Sequence, residues 1–173
     1  MGMKRTSAVL LLTLAACSSL SPVVMGKEGA MIKKKEFFAR IDALAKIEKV
    51  RPDGAAKALG LALEFRKDEK NRDLDVYEAT PPAGSWATRV EVRVSKNDAP
   101  GGLVIVDVDA RLGIKSTDLL ARLGKNPRID SPSDNAPADS PKFYVYPQKG
   151  QALSFALKDG KPQALVSVVL DRP

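Results

Sequence analysis

The chain has 173 residues, with 28 Lys and Arg against 21 Asp and Glu, a formal charge of +7. That length fits one domain or two small repeated units, and 44 % apolar with 28 % charged residues describes a folded body, neither membrane-spanning nor disordered. There is no His and only one Cys, which removes Ser-His-Asp and Cys-His catalysis, His-ligated zinc, internal disulfides and Cys-rich metal clusters.

Residues 1–17 read MGMKRTSAVLLLTLAAC. Lys4 and Arg5 precede an apolar run from Ala8 to Leu14, shorter than the roughly 20 helical residues that span a bilayer. The pattern is that of a cleaved export signal. Leu14-Ala15-Ala16-Cys17 resembles a bacterial lipobox. The resemblance implies that residues 1–16 are a lipoprotein signal peptide and that Cys17 becomes an acylated first residue. Several acyl chains make anchoring close to permanent, since each buried CH₂ contributes about 0.8 kcal/mol. Ser18 stands where an Asp holds Gram-negative lipoproteins at the inner membrane. For a Gram-negative host the resemblance therefore implies the periplasmic side of the outer membrane. Ser18 to Ala30 has no helical or strand period, so residues 17–32 read as a lipidated flexible tether.

Lys33 to Lys49 carries Phe37, Phe38, Ile41, Leu44, Ala45 and Ile47 at three- and four-residue spacing, which predicts an amphipathic helix. Pro52 is expected to end it, and Asp53 to cap a second helix from Gly54 to about Leu63. Asp75 to Ala79 is a short strand candidate. In Ala87 to Ser95, Val90, Val92 and Val94 alternate with Arg89, Glu91 and Arg93, the signature of a half-buried antiparallel strand. The turn residues Asn97 to Gly102 lead into Leu103 to Asp109, which completes a hairpin. Ser116 or Thr117 is placed to cap a helix from Asp118 to Leu123. Asn126 to Pro141 is a polar loop with four Pro. Phe143 to Tyr146 is a strand, and Ala152 to Leu157 with Ala164 to Leu170 forms a second hairpin turning at Asp159-Gly160.

The two halves overlay. Residues 53–60 match 117–124 through the Leu-Gly helix end, Val76-Tyr77 meets Phe143-Tyr144, and Leu103 to Asp109 meets Leu165 to Asp171. The expected class is α+β: a tandem repeat of a helix or αα-hairpin followed by antiparallel strands, with one shared antiparallel sheet. The units would span residues 33–110 and 111–173. Sharing a sheet buries more apolar surface than either unit could bury alone.

A short helix ending in Leu-Gly, a Pro-containing loop, a Tyr-bearing strand and a hairpin at Asp-Gly together resemble the β-lactamase-inhibitory-protein/BamE-like fold. The segments Ile114 to Gly124, Phe143 to Tyr146 and Leu153 to Leu170 carry the resemblance, with Asp53 to Asp109 adding to it. It implies a non-catalytic body that binds another protein through its sheet and neighbouring loops. The partner would be an envelope enzyme or toxin held by an inhibitor or immunity-type protein, or else an assembly of the outer membrane or envelope.

Candidate contact residues follow. Arg89, Glu91, Arg93, Tyr144 and Tyr146 are expected on an exposed sheet face. Trp86, in a turn after Pro81-Pro82, reads either as an interface anchor or as a lid on the sheet edge. Asp130, Asp134 and Asp139 lie in the Pro-rich loop, which is longer than most connections. Lys33-Lys34-Lys35 reads either as a solvated helix start or as a contact to anionic lipid. Asp107-x-Asp109 fails as an EF-hand loop, because Leu112 occupies the glycine position and Asp118 the final carboxylate position. No metal or cofactor site follows. The basic residues are spread without a nucleic-acid-binding motif, and Ser95-Lys96 lacks the S-x-x-K spacing of Ser-Lys enzymes. The expected partners are therefore a bilayer, through Cys17, and an unidentified envelope protein, with no nucleic acid. A small hydrolase is the third, discounted reading.

Overall fold

The computed structural model describes residues 27–67, 73–96, 101–160 and 163–173. Cys17, the expected leader, most of the tether and part of the turn before Gly102 lie outside the described residues. Among the described residues three α-helices pack on one eight-stranded antiparallel sheet, so the chain is an α+β protein with a shared antiparallel sheet. The helices are α1 (Lys27–Leu44), α2 (Pro52–Leu59) and α3 (Ser116–Leu123), and a 3₁₀ turn covers Ala110–Leu112. The strands are β1 (Glu64–Arg66), β2 (Leu74–Ala79), β3 (Ala87–Ser95), β4 (Gly102–Val108), β5 (Arg128–Asp130), β6 (Lys142–Gln148), β7 (Gln151–Lys158) and β8 (Ala164–Arg172). Their order across the sheet is β1-β2-β3-β4-β8-β7-β6-β5.

Each strand sends alternate side chains to opposite faces, so the register fixes which residues meet. Val90, Val92, Val104, Val106, Leu153, Phe155, Val168 and Leu170 all turn to the helices and are fully buried. They meet Phe37, Ile41 and Leu44 of α1, Ala55 and Leu59 of α2, and Leu119 of α3 in one continuous core. The register shift between Ala87 and Arg89 lets both Ala87 and Val90 reach that core, although they are an odd number of residues apart.

Helix α1 begins at Lys27, six residues before the expected start, so the expected tether ends in helix and Lys33-Lys34-Lys35 lies within the helix. It stops at Leu44, short of Lys49. Pro52 does not close it. Pro52 instead opens α2, where its missing N–H costs nothing, with Arg51 as the cap residue and Asp53 in the first turn. The cap of α3 is likewise one residue earlier than expected, at Lys115, whose N–H donates to Asp118 Oδ2 at 2.9 Å.

Helix α1 is fastened to both halves of the chain. Lys33 donates to the Gly84 carbonyl before β3. Lys34 donates to the Gly113 carbonyl at 3.1 Å and pairs with Asp118. Asp42 pairs with Arg122 of α3, whose guanidinium lies 5.8 Å from the Phe38 ring centre. Just beyond the helix, Gln151 donates to the Ala45 carbonyl at 2.6 Å and Arg172 to the Ile47 carbonyl at 2.7 Å. Gly102 opens β4 directly under this turn; a Cβ there would sit 2.6 Å from Val50 Cβ.

Candidate protein-binding surface

All three helices lie on one side of the sheet, so the other side is an open face built from the opposite parity of the same strands. Pairing places Arg66, Val76, Arg93 and Leu103 in one row across β1 to β4. The next row runs Glu64, Glu78, Glu91, Ile105, Val169, Ser154, Val145. A third runs Arg89, Asp107, Ser167, Ala156, Phe143.

The first half of this face is charged. Glu78 and Glu91 are direct cross-strand neighbours, an arrangement that repels unless cations separate it. Arginines from the flanking rows do so. Arg89 bonds Glu78 at 3.0 Å and also bonds Glu91; Arg66 pairs with Glu78 and Arg93 with Glu91. The Arg89 hydrogen bond, joined by that of Arg66, holds the Glu78 carboxyl below the usual carboxylate range. Glu91 is only 5 % exposed, because Arg89 and Arg93 close over it. The outcome is a fixed lattice of three arginines and two glutamates, with the half-exposed Asp107 3.8 Å from Arg89.

The centre of the face is apolar and low. Leu103, Ile105 and Val169 are half-buried, and among the described residues no helix lies above them. Beyond them β7 contributes only Ala152, Ser154 and Ala156. These small side chains lie between Val169 and the pair Phe143 and Val145 in the rows across the sheet. Ala156 is 1 % exposed. At the far edge Arg128 and Asp130 pair with each other at 2.8 Å.

Arg89, Glu91 and Arg93 thus lie on the open face, as the alternation of β3 implies; Asp130 joins them because Arg128–Asp130, inside the expected Pro-rich loop, forms the edge strand β5 paired to β6. Tyr144 and Tyr146 do not. They pair across β6–β7 with Phe155 and Leu153, which are core residues, so both tyrosines turn toward the helices. Tyr146 packs edge-on against Phe155 at 5.7 Å, and burial pushes its phenol pKa up. Trp86 is also not a surface anchor. It is 2 % exposed and lies edge-on to Phe37 at 6.0 Å, roofing the core between α1 and β3. Asp134 is exposed in the Pro-rich loop, away from the paired rows. Asp139 in that loop pairs with Lys158 at 2.9 Å, which holds its carboxyl below the usual range. Sequence reasoning did not single out Leu103, Ile105, Val169, Arg66 or Glu78. Their signal is weak, because LVIVDVD is apolar at both parities until Asp107.

The described residues contain no group of three or more Cys, Asp or Glu placed to hold a metal ion, and no helix long and apolar enough to cross a membrane. Fold and face together define an α+β chain with one helical layer and one uncovered sheet surface. No protein-family model, curated protein or solved structure matches the chain.

Proposed function

We propose that the chain is a lipid-anchored, non-catalytic protein-binding module on the periplasmic side of the outer membrane. It acts as an inhibitor or immunity-type protein toward an envelope enzyme or toxin. The observation that carries the reading is the open face: an apolar centre at Leu103, Ile105 and Val169 beside a rim of mutually paired arginines and glutamates. An apolar centre with a polar rim is the common anatomy of a protein interface. Because Arg66, Arg89 and Arg93 are already held by Glu78 and Glu91, a partner would meet a preorganised charge pattern, which reduces the ordering cost of binding.

A tandem origin belongs to the same proposal. The strand order is symmetric about the β4–β8 junction. Phe65 and Ile129 each sit mid-strand on a three-residue edge strand, and pair with Tyr77 and Tyr144 respectively. Helices α2 and α3 are both eight residues long and both end at a glycine of positive φ. These correspondences support two related units meeting at their last strands.

The test is capture of a stoichiometric protein partner from the native envelope by the acylated chain, repeated with Ile105→Glu and Val169→Glu. The reading expects both variants to stay folded with modestly lowered unfolding midpoints, since both side chains are half-buried and Ile105→Glu sets a carboxylate opposite Glu91, and to lose the partner. Unchanged capture by both would refute it. Cys17→Ser checks the anchor separately: the unacylated protein is expected to leave the membrane fraction.

A further inference from the structure

The charge of the body is not spread evenly. Residues 27–60 and 109–125, which supply the helices and their caps, hold thirteen Lys and Arg against seven Asp and Glu. Residues 61–108 and 126–173, which supply the sheet and its loops, hold thirteen against fourteen. Since the three helices share one side of the sheet, the excess positive charge is concentrated on the helical side and is absent from the strand-bearing segments. On the outward side of α1 a shallow groove of about 620 Å³ is lined by Lys34, Lys35, Lys46 and Arg122 against the single carboxylate of Asp42. Beside it, Met31 and Ile32 are 55 % and 61 % exposed, turned away from the buried stripe of Phe37, Ile41 and Leu44. A lipid–water boundary accommodates exposed apolar side chains and neighbouring cations together, the apolar groups entering the headgroup layer and the cations meeting phosphates. Helix α1 also begins ten residues after Cys17, and ten extended residues reach at most about 36 Å.

We propose that the outward side of α1 rests on the surface of an anionic phospholipid bilayer. Met31 and Ile32 enter the headgroup boundary, and Lys35 and Lys46 face lipid phosphates, with Arg122 held beside them by Asp42. The proposal rests on the reading of Cys17 as the acylated anchor. It also fixes orientation: with the helical layer against lipid, the open sheet face points into the aqueous compartment, where a soluble partner can reach it. The attraction acts within about 8–10 Å of the surface at ordinary ionic strength; the connection to Cys17 can extend beyond that range, so it brings α1 back to the surface repeatedly, and Met31, Ile32 and the lysines hold it there.

The test uses the full acylated chain extracted from its native membrane, with Ile32→Cys carrying an environment-sensitive fluorophore. Cys17 is the only other Cys, and acylation blocks it, so the new thiol is unique. Mass spectrometry establishes acylation first; an unmodified Cys17 would remove the anchor and the orientation together. In vesicles containing phosphatidylglycerol the label is expected to shift to the blue and to be quenched by headgroup-level spin-labelled lipid. The shift should be much smaller in vesicles of phosphatidylcholine alone. Lys35→Glu with Lys46→Glu should cut the phosphatidylglycerol-dependent shift by roughly twofold or more with the unfolding midpoint unchanged. A label at Ser131→Cys, in the Pro-rich loop, should stay aqueous throughout. If the label at 32 reports water in both vesicle types while the protein still floats with them, the orientation is wrong and the anchor stands. A label at 131 that responds equally, or lipid-independent crosslinking of position 32 to a protein, would also overturn it.

Discussion

The two faces of the sheet come from the same eight strands, yet they are held by different forces. On the covered face Val92, Val104, Phe155 and Leu170 meet three helices and are sealed from water. On the open face Ile105 and Val169 belong to neighbouring strands of the same sheet, but among the described residues no layer lies above them. Burial there is achieved sideways, by arginines closing over Glu91 and by Phe143 walling in Ala156. The difference teaches that the covered face sets stability while the open face is free to be specified by something other than folding.

The sharpest way to break this comparison is to truncate one large apolar side chain on each face. Phe155→Ala, under the helices, is expected to cost about 3–5 kcal/mol in urea unfolding. Val169→Ala, on the open face of the adjacent strand, removes a half-buried side chain and should cost about 1 kcal/mol or less. Equal losses would mean that the open face is part of the core. Next in size is Gly102→Ala, whose new methyl must displace Val50 and the α1–α2 turn. Overpacking of this kind costs about 1–3 kcal/mol, and the thermal midpoint should fall accordingly. Asp118→Ala should cost about 1 kcal/mol, since it removes the acceptor for the Lys115 N–H at the start of α3 and the partner of Lys34.

Acid titration compares the ion pairs on the two sides. Glu78 on the open face is held low by Arg89 and Arg66, and Asp109, beside the helical layer, by Arg111. A carboxylate whose pKa is lower folded than unfolded stabilises fully above its ordinary pKa and loses that contribution as pH falls through the folded value. Stability should therefore hold from neutral pH to about pH 5 and decline below the ordinary values of 4.5 and 3.8. Glu78→Gln and Asp109→Asn should each flatten that decline in thermal melts at graded pH. A comparably small effect is expected at the sheet edges: Phe65→Ser and Ile129→Ser, both more than half exposed, should change stability by about 1 kcal/mol or less, with Phe65 the larger because its ring packs edge-on against Tyr77.

Much of the fold was legible in the sequence because β3 and the stripe of α1 have one clean period each. Arg89-x-Glu91-x-Arg93 against Val90-x-Val92-x-Val94 leaves no doubt which residues share a face. Phe143-Tyr144-Val145-Tyr146 has no such contrast: all four side chains are large and apolar enough for either face, and only pairing with Phe155 and Leu153 decides it. The three-residue strands β1 and β5 are too short for any period. Trp86 reads as a turn residue because of Pro81-Pro82 and Gly84, but the Phe37 ring it packs against comes from a helix 49 positions earlier. The first turns of α1 were missed because lysines and exposed apolar groups alternate there with no buried stripe. The charge difference between helical and strand segments could be counted from the chain, but topology was needed to put the helices in one layer.

Whether the uncovered surface is the one that grips a partner can be measured by a photo-crosslinking residue placed singly along the acylated chain in intact envelopes. With the probe at 105 or 169, one protein adduct of constant mass is expected. At 57 and 117, on the exposed sides of α2 and α3, that adduct should be missing. Adducts to protein from 57 and 117, with none from 105 or 169, would contradict the account.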